Sequence, residues 1–285
     1  MAIDLKSTNG AASPAPDVMQ AVVDRKERPK PWVDAETFPW RDEDFSSRFV
    51  RRANYQELYG MKETGEEVDD LVRMLDRGPK ARVLDLCSGN GRHAIAMALR
   101  GYRATGIDVG PGAIQLARET ARNLGLNVDF RLLDVKSISF EDAYDAAYMT
   151  CGGFSDFSPP DAAVILAIAE RALCPGGRLV VEYADKNGAP TTDLRSWQYV
   201  QAERSMFFDG PHLQLDERIF DADACADVSR SFVVPSDGHV REFARCTQYY
   251  AEDAVREMLE AAHLEAGTSA PGSATGLKKI SAQKR

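Results

Sequence analysis

In the stretch VLDLCSGNGRHA, which begins at Val83, an apolar run ends on Asp85 and two glycines follow at Gly89 and Gly91. A carboxylate at a strand tip can hold an ammonium group, and a bare backbone just beyond it permits a tight turn and close approach by a ligand. Taken alone, Gly89-x-Gly91-x-x-Ala94 also passes for a nicotinamide-dinucleotide fingerprint. Asp85 argues against that, because a carboxylate four residues before Gly89 repels a pyrophosphate. Two further acids follow strand-like runs: Asp108 after YRATGI, where a carboxylate can grip both hydroxyls of a ribose, and Asp134 after NVDFRLL, where an acceptor can meet the amino group of an adenine. The three carboxylates describe a ligand that joins a cationic amino acid to an adenosine and carries no phosphate.

Such residues need strands that end together. ARVLDLC, YRATGID, NVDFRLLD, YDAAYMT and RLVVEY read as short buried strands, separated by helical stretches RHAIAMALRG, GAIQLARETARNLG and DAAVILAIAERAL. Helices alternating with apolar strands specify an α/β fold, a doubly wound and mostly parallel sheet. Pro175-Gly176-Gly177 is expected as a turn before RLVVEY. Upstream, Val68, Leu71, Val72 and Leu75 share one helical face that Gly78 is expected to close, and Asp44 or Ser46 is expected to cap a helix running toward Leu58. After Trp197, the runs AERSMFFDG, HLQLDERIFDAD, VSRSFVVPSDG and HVREFARCTQYY have turns but no helices between them, so they predict an antiparallel meander. A helix EDAVREMLEAAHLEAG and a last strand KKISAQKR close the chain. The expected organisation is a flexible leader over 1–30, an N-terminal lid segment over 31–62, a ligand-binding core over 63–190, the substrate-side meander over 191–250, and a C-terminal helix and strand over 251–285.

The chain has 285 residues, 44% of them hydrophobic, which is enough for a sizeable core, and a formal net charge of −9. Such a surface repels nucleic acid and anionic membrane, so neither is expected as a partner. The five cysteines, Cys87, Cys151, Cys174, Cys225 and Cys246, are odd in number and lack CxxC spacing, which argues against a disulfide framework or zinc site. No apolar run approaches the ~20 residues of a membrane helix. The cytoplasm is the expected location and no metal is expected.

VLDLCSGNGRHA, GIDVGPGAIQLARETA, LLDV, YDAAYMTCGGFSDF and LCPGGRLVVEY together resemble the successive motifs of class I S-adenosylmethionine-dependent methyltransferases, over about residues 65–185. The meander and the helix after it are similar, more loosely, to the small-molecule branch, including N-methyltransferases of nucleotide-linked sugars. The resemblance implies a Rossmann-like methyltransferase fold with a β-meander insertion and an N-terminal helical lid. It implies S-adenosyl-L-methionine as cofactor and S-adenosyl-L-homocysteine as product. Asp85 and the turn of Gly89 and Gly91 would face the methionine part, Asp108 the ribose, and Asp134 with the Val135 backbone the adenine. Thr150-Cys151-Gly152 would lie under the sulfonium, with Cys151 as a small residue beside the cofactor. Relatives often carry an Asn-Ser-Phe-Gly-like run where this chain has TCGGFSDF.

Methyl transfer from a sulfonium is an in-line displacement in which positioning alone supplies roughly 7–11 kcal/mol. A neutral amine, thiolate or thioether needs little more, whereas a hydroxyl calls for a general base. Asp156, just past the fourth strand, is the best-placed carboxylate, with a helix-capping role as the alternative. His239 is the second catalytic candidate, although it reads equally as a solvated turn residue, as does His212. His93 reads as packing or capping, and His263 as surface. Tyr55, Phe154, Tyr183, Trp197, Arg218 and Arg241 are the candidate acceptor contacts. Trp32, Phe38, Trp40, Phe45, Tyr55 and Tyr59 form an aromatic stretch that reads as a flap over the sulfonium or as a helix packed on the sheet edge. Arg51 and Arg52 could pair with the ligand carboxylate. The expected function is methylation of a small-molecule metabolite, foremost at nitrogen. The alternatives are S- or O-methylation of an amino acid or other small acid, and cyclisation or cleavage of S-adenosylmethionine without methyl transfer. A homodimer is compatible with the aromatic arm, which could cover a neighbour's site as well as its own.

Overall fold

The computed structural model describes residues 29–33, 41–50, 61–201 and 205–285. The leader through residue 28, and with it most of the 1–30 segment, lies outside the described residues. So do Phe38, Trp40, Arg51, Arg52, Tyr55 and Tyr59.

Six α-helices and eleven strands follow in order among the described residues: α1 (Glu43–Val50), α2 (Met61–Leu75), β1 (Arg82–Leu86), α3 (Arg92–Leu99), β2 (Arg103–Asp108), α4 (Pro111–Asn123), β3 (Asp129–Leu132), β4 (Tyr144–Met149), α5 (Pro159–Ala172), β5 (Leu173–Asp185), β6 (Leu194–Val200), β7 (His212–Asp221), β8 (Ala226–Pro235), β9 (Arg241–Tyr250), α6 (Glu252–Ala261), β10 (Leu264–Pro271) and β11 (Leu277–Lys284). Strands β3-β2-β1-β4-β5 are parallel neighbours. β11 runs antiparallel along the far side of β5, and β10 pairs with β11. Parallel strands need crossovers, and α3, α4 and α5 supply them.

Alternation along β1 sorts the core into two layers. Leu84 and Leu86 pack with Ile165, Leu166 and Leu259 of α5 and α6. Val83 packs with Leu71, Leu75, Ile95 and Ile114 of α2, α3 and α4. Each such side chain, wholly buried, contributes about 1.5–3 kcal/mol. Asp85 shares parity with Val83, so it turns toward the layer of α2 and α3.

β6 to β9 form an antiparallel four-stranded sheet. It joins the core through two parallel pairs, Ala184 with Tyr249 and Asp185 with Tyr250. Several local expectations need correction. The meander's first strand is Leu194–Val200, ahead of AERSMFFDG, whose described part forms bends around Gly210. The last helix stops at Ala261, because His263 takes a positive φ of 59° and Leu264 begins β10, which periodicity had merged into the helix. Pro175-Gly176-Gly177 is a bulge inside β5: Tyr144 pairs with Leu173 and Ala146 already with Arg178. α2 ends before Gly78, on Asp76 at φ 49°. The cap of α1 is Asp42, whose Oδ1 accepts the Phe45 N–H at 2.7 Å. α1 packs on α4 at Gly112, where any Cβ would strike the Ser47 backbone.

Candidate active site

The ends of β3, β2, β1 and β4 lie side by side, spaced by about 4.8 Å per strand, and border one cavity of about 240 Å³. Asp134 stands at its β3 end, Asp108 at β2, and Asp85 with Gly89 at β1. Thr150, Cys151 and Asp156 stand at β4. Val135 lines it beside Asp134. Gly91 closes the turn behind Gly89. Its φ of 75° and the Phe130 ring packed where a Cβ would stand restrict the position to glycine. α3 starts immediately after it and presents its N-terminal end to the cavity.

The three strand-tip carboxylates differ in state. Asp85 is buried, and its Oδ2 has no hydrogen-bond partner. Burial pushes its carboxyl well above the ordinary range; the nearby Tyr148 hydroxyl pulls it back and Asp108 adds repulsion. Tyr148 Oη approaches Asp85 without a well-formed hydrogen bond. Asp108 is oriented by two backbone donors, Gly89 N–H to Oδ2 at 2.8 Å and Gly110 N–H to Oδ1 at 2.7 Å. Burial still leaves its carboxyl raised. Burial also acts upward on Asp134, but the Lys136 N–H at 2.9 Å and the Arg41 guanidinium at 2.6 Å hold it below the usual range. Ser88 Oγ is a second buried polar atom at the cavity without a partner. Orphaned acceptors beside a glycine turn fit a ligand that brings its own donors and positive charge.

A polar cluster closes the β1–β4 end. Glu67 Oε2, from α2, accepts Arg92 Nη1 at 2.6 Å and His93 Nε2 at 2.8 Å. Arg92 also donates to Thr64 Oγ1 at 2.8 Å and to Cys151 Sγ at 3.0 Å. His93 Nδ1 meets Thr150 Oγ1 at 3.3 Å. The ligating atoms of Glu67, His93 and Cys151 lie within 4.8 Å of one another. The Arg92 guanidinium, donating to two of the three, already supplies the positive charge such a group attracts. Cys151, exposed at the cavity mouth yet closely surrounded, has its thiol pushed up to about 11 by desolvation, with Arg92 acting the other way.

On the meander side, Asp156 faces Arg245 of β9, whose Nε stands 3.1 Å from Oδ1. Burial raises the Asp156 carboxyl, Arg245 lowers it, and Asp227 raises it again. Asp227 itself is buried and accepts the Tyr249 hydroxyl at 2.7 Å. By register, Asp227, Ser229, Arg245, Thr247 and Tyr249 share one face of this sheet. Ser46 of α1 and Arg41, just before that helix, also line the cavity, and Phe45 of α1 stacks on Phe243 and tilts against Phe207.

The structure therefore brings Asp85, Gly89, Asp108, Asp134, Val135, Cys151 and Asp156 around one cavity, with Gly91 in its turn. Other candidates lie elsewhere. His239 is exposed in the β8–β9 turn, where its N–H bonds Asp237, and it does not line the cavity. Phe154 and Tyr183 are fully buried core, both against Tyr250. Trp197 is 73% exposed on β6. Arg241 is exposed and lies over the Phe208 ring at 5.0 Å. Arg218 sits on the same sheet face as Ser229, with a buried Nε, outside the cavity wall. Trp32 packs on Cys246 and Val228 on the opposite sheet face. Sequence reasoning placed Thr150 beside the ligand but missed Glu67, Arg92 and Arg245, and took His93 for a packing or capping residue. Arg92 and His93 directly after the glycine turn were the available signal.

Residues 83–177 match a family model described as a methyltransferase domain. A ubiquinone biosynthesis O-methyltransferase of Xanthomonas axonopodis pv. citri (strain 306) is 33% identical over 109 residues, 38% of this chain and 45% of that protein. The chain thus spans about half the length of the curated relatives it matches. Among solved structures, the CcbJ methyltransferase from Streptomyces caelestis aligns with a TM-score of 0.62 at 20% identity, covering 85% of this chain and 99% of that one. The sugar N-methyltransferase KedS8 from Streptoalloteichus sp ATCC 53650 aligns with a TM-score of 0.56 at 13% identity, covering 100% and 99%. Residues 83–177 thus carry a methyltransferase domain, and the chain shares its fold with S-adenosylmethionine-dependent methyltransferases of known structure.

Proposed function

We propose that the protein transfers a methyl group from S-adenosylmethionine to a small metabolite, foremost at nitrogen. The observation that carries this reading is the convergence of Asp85, Asp108 and Asp134 on one cavity of about 240 Å³. Asp134 and the Val135 backbone would hold the adenine and Asp108 the ribose hydroxyls. Asp85 and the Gly89 turn would hold the methionine ammonium, whose donors suit the unpartnered Asp85 Oδ2. When bound, the cofactor supplies an electrophilic methyl group. The protein's own contribution is to orient the acceptor and exclude water, with α1 and the polar face of β8 and β9 as walls of the acceptor side. The sugar N-methyltransferase named among the structural neighbours is consistent with a nitrogen acceptor.

A second reading, an oxygen acceptor, is favoured by Asp156. It is a cavity-lining carboxylate with a raised affinity for protons, on the acceptor side, suited to a general base. The curated relatives named O-methyltransferases agree with it. The test is calorimetric titration of the protein with S-adenosylhomocysteine. Incubation with S-adenosylmethionine and panels of amine, hydroxyl and thiol metabolites follows, read for S-adenosylhomocysteine and for acceptors heavier by one methyl group. Release of methylthioadenosine without a methylated acceptor would establish cyclisation or cleavage instead.

A further inference from the structure

We propose that the chain Glu67–His93–Thr150 fixes the Thr150 hydroxyl as a hydrogen-bond acceptor toward the cavity, so that the β4 end of the site favours the cationic methyl donor over its neutral thioether product. The inference rests on the cofactor reading above and adds to it a group that discriminates donor from product.

Glu67 bonds to His93 and Arg92, and these bonds, against the upward pull of burial, keep it ionised below its ordinary value. An ionised carboxylate only accepts, so His93 Nε2, 2.8 Å away, carries a hydrogen. Desolvation, helped by the Arg92 and Lys279 charges, lowers the proton affinity of the buried imidazole below its ordinary value despite the Glu67 bond and charge that pull the other way, so it is neutral near pH 7. A neutral imidazole has one N–H, so Nδ1 holds a lone pair. Thr150 Oγ1, at 3.3 Å, can satisfy Nδ1 only by donating its single proton. Thr150 lines the cavity, so what its hydroxyl offers the ligand is lone pairs. An oxygen lone pair attracts a positive centre and gains little from a neutral thioether. His93 thus acts as a positioning residue and Thr150 as the contact.

Two measurements test this on the full chain. In the first, affinities for S-adenosylmethionine and S-adenosylhomocysteine are compared by calorimetry in wild type, Thr150→Val, Thr150→Ser and His93→Phe. Thr150→Val should lower the preference for the cation by about twofold to tenfold, the net scale of one ordinary hydrogen bond. Most of the change should come from weaker S-adenosylmethionine binding, and Thr150→Ser should restore it. His93→Phe frees the hydroxyl to rotate and should lower the same ratio; melting curves show whether that variant folds. An unchanged ratio in Thr150→Val, or equal weakening of both ligands, overturns the inference while leaving the cofactor reading in place. A wild type that binds neither ligand removes both. In the second measurement, nitrogen-15 spectra of the four histidines near neutral pH should show His93 as the neutral Nε2–H form; an Nδ1–H form or an imidazolium overturns the relay whatever the variants do.

Discussion

Asp85 on β1 pairs in register with Tyr148 on β4, yet neither Asp85 Oδ2 nor Tyr148 Oη makes a hydrogen bond. The protein keeps an under-satisfied carboxyl in its interior, beside the cavity. With its folded value raised, the stabilising proton is present at acid pH. Stability is lost as pH rises from the unfolded value, about 3.9, through the raised folded one. Asp85→Asn removes that loss. Without ligand, it should melt at the wild-type temperature in acid and about 2–4 °C higher near neutrality, while S-adenosylhomocysteine affinity falls. Thermal scans across pH that show parallel curves for the two proteins would refute the assignment.

Asp108 accepts from Gly89 and Gly110 at once, which orients its carboxylate and the glycine turn together. Asp108→Ala should weaken S-adenosylhomocysteine binding by about 1–3 kcal/mol, the scale for a hydrogen bond to a charged group. Asp108→Asn should do no better, because an amide nitrogen would face one of the two N–H donors. Calorimetry that finds Asp108→Asn near wild type would show that the acceptor geometry at Asp108 is unimportant.

The gathering of these residues at one cavity edge was legible in the sequence because it is local: Asp85, Gly89, Gly91, Asp108 and Asp134 each end a strand or follow one, and a parallel sheet collects strand ends on one edge. The Glu67–Arg92–His93–Thr150 cluster was not, because Glu67 on α2 is joined to Thr150 only once β1 and β4 pair. On the meander, alternation gave two faces without saying which looks inward. Register places Arg245 and Tyr249 on the face with Asp227, and leaves Trp197 and Arg241 exposed. Phe154 and Tyr183 read as pocket residues by position, but both turn into the layer of α5 and α6. β10 was hidden because LEAG continues the apolar period of α6 until His263 takes its positive φ.

Gly91 has its Cβ position occupied by the Phe130 ring and its backbone at φ 75°. Gly91→Ala should destabilise the fold by about 1–3 kcal/mol through overpacking and should shift the glycine turn. Gly91→Ala with Phe130→Leu relieves the contact with the ring but neither the close approach to the Ala117 Cβ at 2.9 Å nor the backbone strain, so denaturant unfolding should show recovery of only part of the loss. A single variant as stable as wild type would mean that Phe130 yields without cost.

Asp156 separates the two acceptor chemistries. If the acceptor is a hydroxyl, Asp156 must be ionised to take its proton. The rate should then fall as pH drops through the raised value, and Asp156→Asn should lose a factor of about 10²–10⁴ and flatten the acid limb. If the acceptor is a neutral amine, the acid limb belongs to the amine itself. Asp156→Asn should then change turnover by less than about tenfold and leave the limb where the acceptor's own ionisation puts it. Asp156→Asn also removes the charge facing Arg245. KM should therefore be followed beside kcat: a rise in KM with kcat unchanged marks Asp156 as a binding group, whereas a fall in kcat that erases the acid limb marks it as the base.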